Sequence, residues 1–267
     1  MDEHIKVSVI IPYFKNKKFI KETLESVLGQ TYKNVEIIVV DDGSDDGLVE
    51  EYGDFFRKHG IIYVKKENGG PASARNVGMR LAVGSMIALL DADDVWHADK
   101  IRTQIDFHLR TKSQVVYAKS KVFMSDLGIE SGLVPAVEYY YGDILKKLLV
   151  RNFITNSSIM FSRSVLDRCG FFREDPQLVA IEDYEYWLRV AAVFSIHIVL
   201  DPPLVFYRLH PDQISKKDSS ESCRQLSGMF MNFFRSNELK NFRFLMLCRS
   251  IKYYIGFLKR RVERWFR

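Results

Sequence analysis

The sequence predicts an α/β fold, with a mostly parallel central sheet flanked by helices and a helical extension at the C-terminus. Two observations carry the prediction. Within the first ~95 residues, β-branched runs of strand length alternate with helix-spaced apolar stretches, the pattern of a sheet covered on both faces. At the other end, Phe244, Leu247, Ile251, Tyr254, Ile255, Leu258, Val262 and Trp265 recur at three- and four-residue spacing with Arg and Lys between them. With 267 residues, 47% apolar and 27% charged, the chain can bury a sizeable core as one large domain or two small ones.

The elements follow in order. "KVSVIIPYF" is the first strand, ended by Pro12. "KKFIKETLESVLGQTY" is a helix with Phe19, Ile20, Leu24, Val27 and Leu28 on one face, closed by Gly29. "NVEIIVV" is a second strand running into the acidic turn "DDGSDDG", and "LVEEYGDFFRKHG" is a helix ending at Gly60. "IIYVKK" supplies a third strand, "SARNVGMRLAV" a helix entered through "ENGGPASA", and "SMIALL" a fourth strand. Beyond residue 100, "KIRTQIDFHLR" and "GDILKKLLVRN" read as helices and "SQVVYAKSKVFMS" as a strand. "TNSSIMFSRSVLDRCGFF" reads as a strand turning into a helix, "AIEDYEYWLRVAAVF" as a helix, and "IHIVLDPPLVFYRLH" as paired short strands.

Composition narrows the function classes. Cys169, Cys223 and Cys248 are sparse and lack metal-ligand spacing, which fits reduced thiols in a cytoplasmic protein. The acidic start "MDEHIKVSVIIPYF" does not resemble a secretory leader, and no apolar run reaches 18 residues. The net charge of +5 is uneven: ten Lys/Arg and two Glu between Arg235 and Arg267 give +8, leaving −3 on residues 1–234.

In parallel α/β sheets, ligands bind beyond the carboxyl ends of the strands. There the sequence places Pro12 to Phe14, Asp41 and Asp42, and the run "DADD" from Asp91 to Asp94. If the chain stays extended, Asp91 and Asp93 point to one side and suit a hard divalent cation sharing phosphate oxygens. The plainer reading is capping of the next helix by Asp94 or Asp99. One aspartate of "VVDDGS" serves the turn, and the other is placed to accept from a nucleobase N–H. Arg75 follows a loop that feeds a helix N-terminus, a setting that favours phosphates; a surface salt bridge is its competing account. Glu182 and Asp183 open a helix, either as dipole partners or as a catalytic base. His210 in "YRLH" is a site residue or a structural histidine.

Taken together, "VSVIIPYF", "SVLGQTYKNVEIIVVDDGSDDG", "ENGGPASARNVGM", "GSMIALLDADDVW", "EDYEYWLR" and, more weakly, "YRLH" resemble the inverting, nucleotide-sugar-dependent glycosyltransferases of family 2, which have a GT-A fold. The resemblance runs in order over roughly residues 7–210. It implies a glycosyltransferase domain over 1–215, with 1–100 the nucleotide-sugar half and 101–215 the acceptor half, and a basic amphipathic tail over 216–267. It further implies that Pro12, Tyr13 and Phe14 line the base pocket, with Phe14 stacking, while Asp42 accepts from the base and Asp41 supports the turn. Asn68 and Arg75 would approach the donor, and Asp91, Ala92 and Asp93 form the DxD motif. Asp93, Asp91 and His210 would meet Mn²⁺ or Mg²⁺; Asp183 would be the general base and Glu182 its partner. Lys15 and Asn16 depart from the family's habit of an Asn directly after the aromatic.

The donor implied is a nucleoside-diphosphate sugar, with UDP favoured, and the acceptor a hydroxyl of a glycan or lipid-linked saccharide in bacterial surface polysaccharide synthesis. A sugar-nucleotide pyrophosphorylase usually opens with a Gly-rich, Arg-containing loop, where this chain has "PYFKNKK". No G-x-G-x-x-G follows the first strand, against a Rossmann dehydrogenase, and no Asp nucleophile follows it, against a haloacid-type phosphatase. A non-catalytic nucleotide-sugar binder is the rival of another kind, but it would not need both Asp93 and Asp183. The tail suits an anionic membrane surface, at the cytoplasmic face of the inner membrane, or packing on the body or a second subunit. Nucleic acid is not an expected partner.

Overall fold

The structure, a computed structural model, describes residues 4–124, 129–134, 138–210, 213, 219–236 and 238–265. The first seven elements follow the expected alternation: β1 (Val7–Tyr13), α1 (Lys17–Leu28), β2 (Val35–Asp41), α2 (Leu48–Lys58), β3 (Ile62–Lys65), α3 (Gly70–Leu81) and β4 (Met86–Leu89). Then come β5 (Val95–Trp96), α4 (Lys100–Thr111), β6 (Val115–Ala118), β7 (Ser120–Met124), β8 (Ile129–Val134), the single-turn α5 (Leu145–Leu148), β9 (Met160–Ser162) and α6 (Arg163–Cys169). The chain closes with α7 (Glu182–Ala191), β10 (Ile196–Val199), β11 (Val205–Arg208), α8 (Ser219–Ser236) and α9 (Arg243–Trp265).

A seven-stranded sheet in the order β10-β6-β9-β4-β1-β2-β3 forms the centre, with β9 antiparallel to both β4 and β6 and the other pairings parallel. Side chains alternate across it with the strand period of two. Ile10, Ile38, Val40, Ile87 and Leu89 enter one apolar core, while Val9, Ile11, Ile37, Val39 and Ala88 enter the other. Both faces are therefore buried. On the first face α3 lies so close to β1 that a Cβ at Gly78 would collide with Ile10 Cγ2 and press on Val40 Cγ2 at 3.3 Å. That close approach fixes where α3 carries Arg75.

Several expectations are corrected. Pro12 does not end β1, because the strand runs on to Tyr13. The Leu90 N–H reaches Ile10 O, so residues in phase with Ile10 face β4; by Pro12, β4 has ended and no ladder bond needs the missing N–H. "SQVVYAKSKVFMS" is two strands, β6 and β7, in different sheets. β10 and β11 do not pair with each other: β10 joins β6, whereas β11 lies between β5 and β7 in a second, four-stranded sheet β5-β11-β7-β8 that the sequence did not announce. "GDILKKLLVRN" shrinks to one helical turn.

The tail is a helical hairpin. Ser227 Oγ donates to Ser250 O (2.9 Å), Ser250 Oγ to Ser227 O (3.0 Å), and Phe230 stacks on Tyr253 with centroids 5.8 Å apart. Met229, Phe230, Phe233 and Met246 join the larger core, and Tyr184 meets Phe230 edge-on, so the hairpin packs on the sheet domain. The junction expected at 215/216 and the side chains of Val262 and Trp265 lie outside the described ones. Among the described residues no helix is long and apolar enough to cross a membrane, and the three cysteines are free.

Candidate active site

The "DADD" run is a tight turn and does not continue the strand. The Asp94 N–H returns to Asp91 O at 3.1 Å, so the alternation expected of Asp91 and Asp93 does not apply. The turn instead sends its carboxylates three ways. Asp91 Oδ1 accepts from Arg75 Nη2 (2.7 Å) and Asp93 Oδ2 lies 2.8 Å from His210 Nε2. Asp94, fully buried, accepts from Ser157 Oγ (2.5 Å) and the Arg208 N–H (3.0 Å). Neither Asp94 nor Asp99 caps α4 with its side chain: Asp94 points inward, and Asp99 accepts from Thr31 Oγ1 at 2.8 Å. The negative charge crowded into this turn is met within the chain, by Arg75, His210, Ser157 and a backbone N–H.

Arg75 is the centre of the arrangement. Its Nη1 donates to Glu182 Oε1 at 2.7 Å, which ties the β4 turn to the first residue of α7. With its amide oxygen turned to the guanidinium, Asn156 accepts from Arg75 Nε (2.9 Å) and Nη2 (3.1 Å). Burial alone would lower the Arg75 pKa, but Asp91 and Glu182 more than offset it and hold the cation firmly protonated. Glu182 Oε2 is buried and has no hydrogen-bond partner among the described residues. Beside it, Asp183 is pushed up to about 7 by burial and by the Glu182 charge, with Arg75 opposing. Its Oδ1 takes the Tyr184 N–H at 2.6 Å, and it keeps part of its surface open.

Asp93 also sits above the ordinary carboxylate range, through burial and the neighbouring Asp91, with His210 pulling the other way. Asp94 is raised well above it by burial and by Asp93 and Asp91. His210 packs its ring 4.8 Å from Phe19, and among the described residues its buried Nδ1 has no hydrogen-bond partner. The end of β11 is pinned by Arg208, whose Nε donates to Asp93 O (2.7 Å) and whose Nη2 donates to Glu22 (2.5 Å).

The second strand end is organised differently. Asp41 accepts from the Ser44 N–H (2.8 Å) and Tyr63 OH (2.6 Å), which secures the turn. Asp42 accepts from the N–H of Gly69 (2.9 Å) and Gly70 (2.7 Å) and from Lys66 Nζ (2.7 Å). The anion at the N-terminus of α3 is thus the chain's own Asp42, and Asn68 Nδ2 adds a bond to Asp42 O (2.9 Å). Of the base-pocket trio, Tyr13 is buried with its hydroxyl on Asp46, Pro12 lies within β1, and Phe14 is exposed with Lys15 Nζ 5.5 Å over its ring. Ala92 is buried, and its carbonyl accepts from Thr23 at 3.0 Å.

The structure therefore gathers Arg75, Asp91, Asp93, Glu182, Asp183 and His210 on one rim, with Asp41 and Asp42 two strands away. Sequence reasoning missed Asn156, Ser157, Lys66 and Arg208. "TNSS" carries no motif, and its partners lie far along the chain, so only the packing of the short turn Asn156–Ser158 against β4 reveals it. A shallow, half-open hollow lies beside this rim, lined by Gly69, Gly70, Pro71, Glu174, Val179 and Glu182.

As for a divalent cation, a carboxylate paired with an imidazole that has a buried free nitrogen is a donor set manganese accepts, with Asp91 partly open beside it. Among the described residues no three Asp, Glu, His or Cys side chains are grouped to hold a metal ion by themselves, so phosphate oxygens would have to complete the shell.

The chain is similar to several known proteins. The family model described as glycosyl transferase family 2 matches residues 8–170. An uncharacterised glycosyltransferase of Rickettsia conorii is 33% identical over 250 residues, covering 88% of this chain and 40% of its own length. The chain thus spans only two fifths of that relative. WfaP of Escherichia coli, a UDP-Glc:alpha-D-GlcNAc-diphosphoundecaprenol beta-1,3-glucosyltransferase, is 32% identical over 221 residues, covering 82% of this chain and 83% of its own. The crystal structure of S. aureus TarS with UDP-GlcNAc superposes with a TM-score of 0.71 at 18% identity, over 95% of this chain and 73% of that one. The architecture is the GT-A type.

Proposed function

The chain belongs to glycosyl transferase family 2, and from that premise we propose that it moves a sugar from a UDP-sugar to a hydroxyl of a lipid-linked saccharide, with inversion at the anomeric carbon. The observation that carries this reading is the Arg75 bridge, which draws the Asp91 turn and the Glu182–Asp183 helix start to one rim. E. coli WfaP, named for a UDP-glucose donor and a diphosphoundecaprenol-linked acceptor, supports the donor and acceptor classes.

Asp183 is the general base of this proposal. A carboxyl held near 7 is matched to taking a proton from a hydroxyl at neutral pH, a contribution of roughly 10²–10⁴-fold. Glu182 stays anchored on Arg75 and raises the basicity of its neighbour by its charge. A base on the face opposite the leaving group gives inversion, by the geometric logic of inverting glycosidases. Asp93, Asp91 and His210 would hold a divalent cation, which when bound stabilises charge on the departing diphosphate as a Lewis acid. Phe14, exposed beyond β1, offers a face for the base.

The test is calorimetric titration with UDP, GDP and dTDP, each with and without Mn²⁺, in the native chain and in Asp93→Ala. Manganese-dependent binding of UDP, lost in Asp93→Ala, supports the reading. Well-folded protein that binds no nucleotide overturns it.

A further inference from the structure

Helix α9 has two apolar faces, and only one is covered. Met246 and Ser250 are buried, and Tyr253 stacks on Phe230, so this side seals the hairpin against α8. On the opposite side Phe244 is 80% exposed, Ile251 49%, Tyr254 51%, Ile255 59% and Leu258 44%. A contiguous exposed apolar stripe of this kind marks a surface that meets a protein or a membrane.

Charge says what kind. At roughly 100° per residue, Arg243 and Arg261 border one edge of the stripe and Lys252 and Lys259 the other. All four are exposed, and no Asp or Glu occurs from Leu239 to Val262. A second copy seated on this stripe would bring like charges edge to edge with no acid between them. An anionic bilayer surface supplies both an apolar layer for the stripe and negative groups for its margins.

We infer that α9 is a membrane-surface helix, lying in the interface of an anionic bilayer with Phe244, Ile251, Ile255 and Leu258 inserted and Arg243, Lys252, Lys259 and Arg261 on the headgroups. It does not cross, since no described helix is apolar enough. The inference rests on the lipid-linked acceptor reading for its purpose and on this helix face alone for its chemistry.

The test is flotation of the full chain with vesicles of phosphatidylcholine alone or with about a third phosphatidylglycerol. The native chain should float with the anionic vesicles and lose that binding in high salt. Ile251→Ser/Ile255→Ser and Lys252→Glu/Lys259→Glu should each lower the bound fraction about tenfold, with unchanged circular dichroism and unchanged UDP binding. A native chain that ignores anionic vesicles overturns the inference, as does flotation undiminished in both variants. A dimer by light scattering that dissociates in Ile251→Ser/Ile255→Ser, without vesicle binding, overturns it in favour of a second copy. Because flotation needs no nucleotide, a chain that floats but binds no UDP refutes the transferase reading and leaves this one standing.

Discussion

Arg75 and Glu182, 107 residues apart in the chain, meet in a buried ion pair with Nη1 2.7 Å from Oε1. Because Arg75 also holds Asp91, one cation carries the geometry of both halves of the rim. Removing it leaves a buried Glu182 without a counter-charge, which typically costs about 3–5 kcal/mol. Arg75→Met should therefore lower stability by that order in urea denaturation. Arg75→Met/Glu182→Gln should recover part of the loss, because both buried charges are then gone. Additive effects in that cycle would mean the pair is not coupled.

Asp183 predicts a pH dependence. Its folded pKa, pushed up to about 7, lies above the ordinary 3.8, so the charged form is disfavoured in the folded state. Activity that needs the base deprotonated should rise with pH through about 7. Stability runs the other way: the folded chain loses stability as pH climbs from the unfolded value toward the folded one. Asp183→Asn should thus be inactive yet melt higher than the native chain at pH 8, with the difference vanishing near pH 4. A flat rate profile from pH 5 to 8 would remove Asp183 as the base.

Asp93 and His210 predict a metal dependence that can be read without turnover. His210→Ala removes the imidazole 2.8 Å from Asp93 and leaves Asp91 and Asp93 in place. Manganese-dependent UDP affinity should fall by roughly 10–100-fold, the loss typical when a metal site's support is removed. Binding in EDTA should stay where it was. An equal loss with and without manganese would make His210 a packing residue against Phe19.

The residues that sequence reasoning read well and badly divide along physical lines. Strands β1, β2 and β4 are buried on both faces and read as continuous apolar runs, so the parallel half was legible. β5, with two residues, and β11 lie in a sheet whose pairings join segments far apart, and no local period reports that. The site motifs were legible as types, but their roles depended on partners. The spacing of Asp91 and Asp93 suggested an extended pair, whereas the Asp94 N–H closes a turn and separates them. Asp42 read as a free acceptor because nothing local shows that the Gly69 and Gly70 N–H groups return to it across 27 and 28 residues.

Gly78 tests how far the site depends on that packing. Its missing Cβ lets α3 lie on β1, and Arg75 stands on the same helix one turn earlier. Gly78→Ala favours the helix by intrinsic propensity, a gain of up to about 1 kcal/mol in an open position. Here the added methyl meets Ile10 Cγ2, in a core with no room, and overpacking of this kind costs about 1–3 kcal/mol. The steric effect exceeds the propensity, so stability in urea should fall despite the better helix former. If α3 lifts to relieve the contact, Arg75 moves with it and both its carboxylate bonds lengthen. UDP binding should then weaken along with stability, whereas in an Ile10→Ala background, which lacks the colliding Cγ2, the same Gly78→Ala change should cost neither. A stable Gly78→Ala protein with native UDP affinity would show that the rim is held by its own ion pairs and not by the seating of α3.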